Sequence, residues 1–205
     1  MLIALAGRMG SGKDTAADIL VQQHGFVRDS FAGTLKDSLS VIFGWDREML
    51  EGKTKVSRAN REEVDLWWAD KLNIPHLTPR WAMQHFGTEV MRTHFHSDIW
   101  VASLERKLLS LIDKNVVISD ARFINEITML SNIGAKTVSV SRGPNPEWWP
   151  IATRAYYDND AMNTMLDSGI HKSEWDWAGY SFQVYINNDD TLLELENKVH
   201  SLVRT

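Results

Sequence analysis

The segment Gly7-Arg8-Met9-Gly10-Ser11-Gly12-Lys13-Asp14-Thr15 has the residue types a chain needs to wrap a phosphate. Such a wrap points successive backbone N–H groups inward, and glycine reaches the required torsions without steric cost. Gly7, Gly10 and Gly12 are placed to do this, with Ser11 between the last two. Lys13 supplies a mobile cation for the β- and γ-phosphates of a nucleoside triphosphate, with ATP the expected donor. The pattern Gly-x-x-x-x-Gly-Lys-Ser/Thr is complete except that Asp14 stands where a hydroxyl ordinarily touches Mg²⁺, and Thr15 follows it. Either Asp14 holds the Mg²⁺ through water or Thr15 takes over. The sequence leaves both open.

Other candidates are cations at element ends, because phosphoryl transfer asks for alignment and positive charge more than for covalent chemistry. Asp120 and Arg122 follow the apolar run Val116–Ile118 and by position face the crevice where ligands bind in parallel sheets. Asp120 reads alternatively as a helix N-cap, and Arg122 as half of a surface ion pair. Arg80 and Gln84 lie one helical turn apart on a shared face. A guanidinium suits a monophosphate and an amide can read a base edge. Lys36 is a third candidate for an acceptor phosphate, or else a solvated lysine. Arg142 ends a strand and could reach the transferring phosphate. His171 and Glu174 read as a local hydrogen-bonding pair. His85, His94 and His96 lack further ligands at metal spacing, so no zinc site is expected.

These residues need a scaffold. Leu2–Ala6 is a continuous apolar run stopped by Gly7, the pattern of a buried parallel strand. Asp14–Gln23 is expected as a helix closed by Gly25. Thr34–Phe43 is a further expected helix, with a cap from Thr34 and Asp37. Arg47–Val56 reads as charged and irregular, Arg61–Leu72 as helical, and Trp81–His94 and Asp98–Asp113 as two consecutive helices. Val116–Ile118, Lys136–Ser141 and Phe182–Ile186 are strands, and Asn125–Asn132 is a helix. Gly143–Ile170 reads as an irregular excursion. Thr191-x-x-Glu194 opens a last helix. Strands alternating with helices imply an α/β fold with a mostly parallel central sheet, helices on both faces in three layers, and a helical or irregular lid insertion. One domain over 1–205 is expected, with a helical substrate-side insertion near 45–95 and a lid-like excursion near 143–175.

The chain has 205 residues, 43% of them apolar and 24% charged, and a net charge of −5. That balance argues against a general nucleic-acid binder. It leaves room for a nucleotide-sized anion met by a few placed cations. The absence of cysteine excludes disulfides and thiolate metal sites. No apolar stretch has the length of a membrane span, and the short apolar start lacks a basic leader, so a cytoplasmic protein is expected. Core packing is the default for most of the nine tryptophans, including Trp45, Trp67 and Trp68.

Several short motifs occur in one order: Gly10-Ser-Gly-Lys-Asp-Thr15, Phe31-Ala-Gly-Thr-Leu-Lys-Asp37, Gln84-His-Phe-Gly-Thr-Glu89, Asp98-Ile-Trp-Val101, Val117-Ile-Ser-Asp-Ala-Arg-Phe123, Asn125-Glu126, His171-x-Ser-Glu174 and Asn188-Asp-Asp-Thr-Leu192. Together they resemble the P-loop deoxynucleoside monophosphate kinases of the type found in bacteriophages, from about residue 2 to about residue 203. The resemblance implies transfer of the γ-phosphoryl of ATP to a deoxynucleoside monophosphate (dNMP), with Mg²⁺. It implies that Arg122 acts on phosphate; Lys13 from the loop motif, and Arg142 from its place at a strand end, join it as the expected catalytic set on the transferring group. Lys36, Arg80, Gln84, Trp100, Asp120, Arg122 and Glu174 are then the substrate-binding set, with Asp14 and Thr15 toward the metal. A host cytoplasm follows if the source is viral, and a homodimer is compatible with the chain. Thr34 and Ser119 stand where that family often has proline, and segments 45–78 and 144–170 match it little. Rival readings are a kinase for dephospho-coenzyme A or a ribonucleotide, and an ATP-binding switch. No Asn-Lys-x-Asp for guanine occurs, and the strand runs into Ser119-Asp120-Ala121-Arg122 rather than a cluster of acids.

Overall fold

Strand β1, Leu2–Ala6, has four consecutive buried residues from Ile3 to Ala6. Neighbouring strand residues point to opposite faces, so β1 is covered on both sides, as its unbroken apolar run predicts. In this computed structural model, which describes residues 1–204, α1 (Lys13–His24), β2 (Val27–Asp29), α2 (Phe31–Phe43), α3 (Arg47–Glu51), α4 (Lys55–Asn60), α5 (Leu66–Leu72) and α6 (Pro79–Gln84) follow. A π-helical stretch His85–Phe95 leads to α7 (Ile99–Leu108), a 3-10 turn Leu109–Leu111 and β3 (Val116–Ile118). The chain continues through α8 (Ile124–Asn132), β4 (Lys136–Ser141), α9 (Trp149–Arg154), α10 (Asn159–Asp167), a 3-10 turn Lys172–Glu174, β5 (Val184–Asn187) and α11 (Leu192–Val203).

The five strands form one sheet in the order β2-β3-β1-β4-β5, and every neighbouring pair is parallel. β1 therefore sits at the centre. The chain leaves it toward β2 on one side, and after β3 crosses to β4 on the other. A crevice opens beyond the strand C-termini at such a reversal. The fold is α/β, as the alternation of strands and helices predicts.

The chain divides into two compact units, one of Met1–Ser30 with the chain from Lys107 onward, the other of Phe31–Arg106. In the first, Ile3, Leu5, Val117, Val138, Val140 and Ile186 of the sheet pack with Ala16, Ala17 and Leu20 of α1 and Leu195, Val199 and Leu202 of α11. A smaller core of Ala152, Ala155, Ala161, Met165 and Trp175 lies under α9 and α10. In the second unit Leu39, Trp45, Leu50, Ala69, Leu77 and Ala82 form a separate core. Phe43 stacks on Trp45 at 4.2 Å between ring centroids.

Several local expectations change. Arg47–Val56 is not irregular: Asp46 caps α3 by accepting from the Glu48 and Met49 N–H groups, and Thr54 caps α4 in a reciprocal pair with Ser57. These are the side-chain oxygens that satisfy first-turn donors. Helix α5 starts at Leu66 rather than Arg61, because Asp65 accepts from the Trp68 N–H and, through its other oxygen, from the Trp45 indole. Helix α2 starts at Phe31, which leaves Thr34 inside it, and Asp37 pairs with Arg47 instead of capping. The single helix expected over Trp81–His94 is α6 followed by eleven π-helical residues. Inside Gly143–Ile170, Pro150 at the first turn starts α9 and Asp158 caps α10, so the excursion is helical and has a core. Trp67 is 61% exposed, unlike Trp45 and Trp68. β2, Val27-Arg28-Asp29, has a single apolar residue and so leaves no apolar run in the sequence, unlike the equally short β3.

Candidate active site: a phosphate loop and its supports

Between β1 and α1 the chain turns through Gly10 at φ 80° and Gly12 at φ 93°, both in the left-handed region open mainly to glycine. The loop is closed by the Ser11 N–H donating to the Arg8 carbonyl at 3.1 Å. The Asn188 amide, just past β5, donates to the Ser11 carbonyl at 3.0 Å and is buried. A Cβ on Gly12 would collide with that amide, and one on Gly7 would collide with the Val140 carbonyl and Ser11 Oγ. Bulk is therefore excluded from both sides of the loop.

Two features of the loop are energetically unfinished. Ser11 Oγ is buried with no hydrogen-bond partner among the described residues. Such an orphan costs about 1–3 kcal/mol until a partner arrives. Lys13, first residue of α1, is 5% exposed, and its ion pair with Asp14 is long at 3.9 Å. Burial pushes the Lys13 ammonium below its ordinary range. Asp14, Glu174 and Asp120 pull it back up, and Arg122 pushes it further down. A buried cation and a bare hydroxyl at a helix N-terminus, framed by left-handed glycines, form a receptor for an oxyanion. Asp14 and Thr15 are exposed at the first turn, and Asp14 pairs with Arg28.

The C-terminal end of β3 brings a second set together in the same unit. Ser119 is buried and accepts from Arg28 Nε at 2.8 Å. Arg122 donates from Nη1 to Glu174 at 3.1 Å, and its guanidinium is more than a third exposed. The backbone around it is held by Glu126, 2% exposed, one of whose oxygens accepts from both the Arg122 and Phe123 N–H groups at 2.9 and 3.2 Å. Asp176 accepts from the Ile124 N–H at 2.8 Å. Two carboxylates thus take three successive N–H groups, those of Arg122 and Phe123 just before α8 and that of Ile124 at its start, where the helix dipole favours negative charge. His171 turns to Ser173 rather than to Glu174.

The structure places Lys13, Asp120, Arg122 and Glu174 close enough for each of the last three to act on the first. Arg142 is exposed at the end of β4; its carbonyl, with that of Pro144, accepts from Arg8, whose guanidinium lies 5.7 Å over the Trp149 ring. Sequence reasoning passed over Arg8, Arg28, Glu126 and Asn188 as functional residues. Only the Asn125-Glu126 and Asn188-Asp-Asp motifs signalled two of them.

In the second unit, Lys36 bonds both Glu51 oxygens at 3.1 Å, and Glu51 also accepts from Arg47. The Glu51 carboxyl is desolvated by burial, yet the cations win and hold it below its usual range. Arg80 is exposed, 4.0 Å from Glu62, and Gln84 is exposed one turn later. Trp100 is buried and its indole donates to the Gly87 carbonyl at 2.9 Å. Arg61 is an addition. Its Nε is buried without a partner among the described residues, and burial followed by the nearby Arg80 charge pushes its guanidinium below the ordinary range.

Among the described residues no cluster of three His, Asp or Glu could hold a metal alone, and no helix is long and apolar enough to cross a membrane. A family model for deoxynucleotide monophosphate kinase matches residues 51–148. A protein of Acanthamoeba polyphaga mimivirus, named by inference as a deoxynucleotide monophosphate kinase, is 31% identical over 153 residues, 69% of this chain and 74% of that protein. Among solved structures, dephospho-CoA kinase from Campylobacter jejuni is similar over 99% of this chain and 95% of its own, at 16% identity and a TM-score of 0.49. Shikimate kinase from Bacteroides thetaiotaomicron is similar over 100% and 97%, at 13% identity and a TM-score of 0.41.

Proposed function

Since the chain belongs to the deoxynucleotide monophosphate kinase family and is thereby a phosphotransferase, we propose that it moves the γ-phosphoryl of ATP to a deoxynucleoside 5′-monophosphate, giving ADP and a deoxynucleoside diphosphate. The observation that carries this reading is the unfinished loop: a buried Lys13 side chain, and a Ser11 hydroxyl with no partner among the described residues. Phosphate oxygens supply the partner each lacks. Gly7, Gly10, Gly12 and the first N–H groups of α1 cradle the β- and γ-phosphates, and Lys13 meets their charge.

Arg122, and Arg142 from the end of β4, neutralise the transferring group. We assign Lys36, Arg80, Gln84, Trp100, Asp120 and Glu174 to acceptor binding. Arg61 joins them, because its unpaired Nε and the like charge of Arg80 both favour a phosphate dianion. The acceptor oxygen is already anionic at neutral pH, so no strong general base is needed. The donor set fits Mg²⁺. This hard cation takes one or two carboxylates and completes its shell with water and phosphate. Asp14, Thr15 and Asp120 offer hard oxygens near the loop without a full cage. When bound, the ion supplies positive charge to the bridging phosphate oxygens.

The test is ADP release from ATP and Mg²⁺ with each of dAMP, dGMP, dCMP, dTMP and their ribo forms in turn. Release dependent on a deoxy acceptor is the expected result. ATP binding with no acceptor stimulation sinks the proposal in favour of a switch protein. Stimulation by ribonucleotides or dephospho-coenzyme A alone moves the substrate assignment.

A further inference from the structure

Asp14 raises an electrostatic problem. It places a carboxylate at the first turn of the phosphate loop's own helix, next to Lys13, where a triphosphate must also sit. An unpaired anion there repels the nucleotide, and it also competes for the lysine that the nucleotide needs. The structure holds that carboxylate with one side chain from another element. Arg28, on β2, spreads its three donors over three positions: Nε to Ser119 Oγ at 2.8 Å, Nη1 to Asp18 Oδ1 at 2.9 Å, and Nη2 to Asp14 Oδ1. The other Asp14 oxygen is left 3.9 Å from Lys13 Nζ, outside hydrogen-bonding range.

We infer that Arg28 is a positioning residue of the phosphate loop: it neutralises Asp14 and keeps that carboxylate off Lys13, so that the Lys13 ammonium stays available to nucleotide phosphate. The inference rests on reading the loop as a nucleoside triphosphate site. As a stability device the cluster counts for little, because Asp14 and Asp18 are mostly exposed and such pairs are screened. Its value lies in geometry. The planar fork ties the first and second turns of α1 to the residue that precedes Asp120, and lysine, whose three donors share one nitrogen, could not spread them over these separate positions. Without Arg28, Asp14 is free to close on Lys13, the remaining cation within reach.

The predicted signature is a rescue. ATP dissociation constants are measured by titration calorimetry with excess EDTA and no acceptor, so that neither metal binding nor turnover enters. Melting curves report the fold. Arg28→Ala is expected to weaken ATP about tenfold, which corresponds to about 1.4 kcal/mol. Arg28→Ala with Asp14→Asn is expected to return within about twofold of the parent. Arg28→Ala with Asp18→Asn is expected to stay weak, because Asp18 lies a turn away from the lysine. If Arg28→Ala loses its fold, Arg28→Gln, which keeps an amide donor and drops the charge, carries the same comparison. Unchanged ATP affinity in Arg28→Ala overturns the inference. So does a double variant with Asp14→Asn that remains as weak as Arg28→Ala, since Arg28 would then be a strap for the fold alone. A parent protein that binds no ATP overturns the loop reading itself and the inference with it.

Discussion

Replacing Glu126 by alanine tests whether the β3 end is built as described. Glu126 is 2% exposed, and a single carboxylate oxygen receives both the Arg122 and Phe123 N–H groups. Alanine leaves two half-buried backbone donors without that acceptor. Hydrogen bonds to a charged group contribute about 1.5–3 kcal/mol each, so the loss is roughly 3–6 kcal/mol. For a chain of this size each kcal/mol lowers the melting temperature by about 2–4 °C, so a drop of roughly 6–24 °C is expected. Glutamine is the informative partner. Both bonds go to one oxygen, so an amide carbonyl in the same place keeps both partners at lower strength, and about half the drop is expected. The functional arm follows from Arg122. With its backbone released, kcat with a deoxynucleotide acceptor should fall while the ATP dissociation constant stays within about twofold, because Lys13 and the loop lie on a different strand end. Thermal scans and paired kinetics read both arms. An alanine variant melting within about 2 °C of the parent refutes the reasoning. A glutamine variant as unstable as alanine refutes the account of the acceptor geometry.

Lys13→Met should abolish turnover with the fold intact. Burial already lowers the lysine's proton affinity, so at pH 7 the folded state carries a cost that methionine removes, and the melting temperature should hold or rise; retained activity contradicts the assignment. His24 at the end of α1 lies 2.7 Å from His200 of α11. Burial first, then the His200 and Arg204 charges, lower its pKa, while Gln23 and Glu196 bridge the same two helices without a charge on the ring. The unfolded chain therefore binds the proton more readily, and stability should fall as pH drops below about 6.5, at no more than about 1.4 kcal/mol per unit for one proton. His200→Gln should flatten that slope in urea melts at pH 5, 6 and 7, and an unchanged slope removes the pair from the explanation.

What the sequence revealed was mostly what lies within a few residues along the chain. The run Leu2–Ala6, the glycine spacing and Lys13 specify a strand, a turn and a helix start by local geometry alone, and the structure has all three. The capping signal at Thr191 was legible for the same reason, and its side chain accepts from the Glu194 N–H. Short helices were missed where periodicity had no room to show: α3, α4 and α9 have five or six residues each, although Asp46, Thr54 and Pro150 marked their starts. Long-range supports were the least visible. Nothing near Arg28 announces that it will meet Asp14 and Ser119. The pairing of His171 with Glu174, natural on spacing, gives way to Arg122, which lies 52 residues from Glu174.

Asn188 bears on the order in which the site can be made. The Gly7–Thr15 loop is synthesised before β5, and the amide that binds its Ser11 carbonyl comes 177 residues after Ser11. The nascent chain therefore carries a loop that lacks one of its ties until β5 has been synthesised and docked beside β4. A chain interrupted before Asn188 would keep every residue of the Gly7–Thr15 motif and still lack this tie. In the uninterrupted chain, ligand-induced stabilisation, read by protease resistance during synthesis, should appear only after Asn188 has been made.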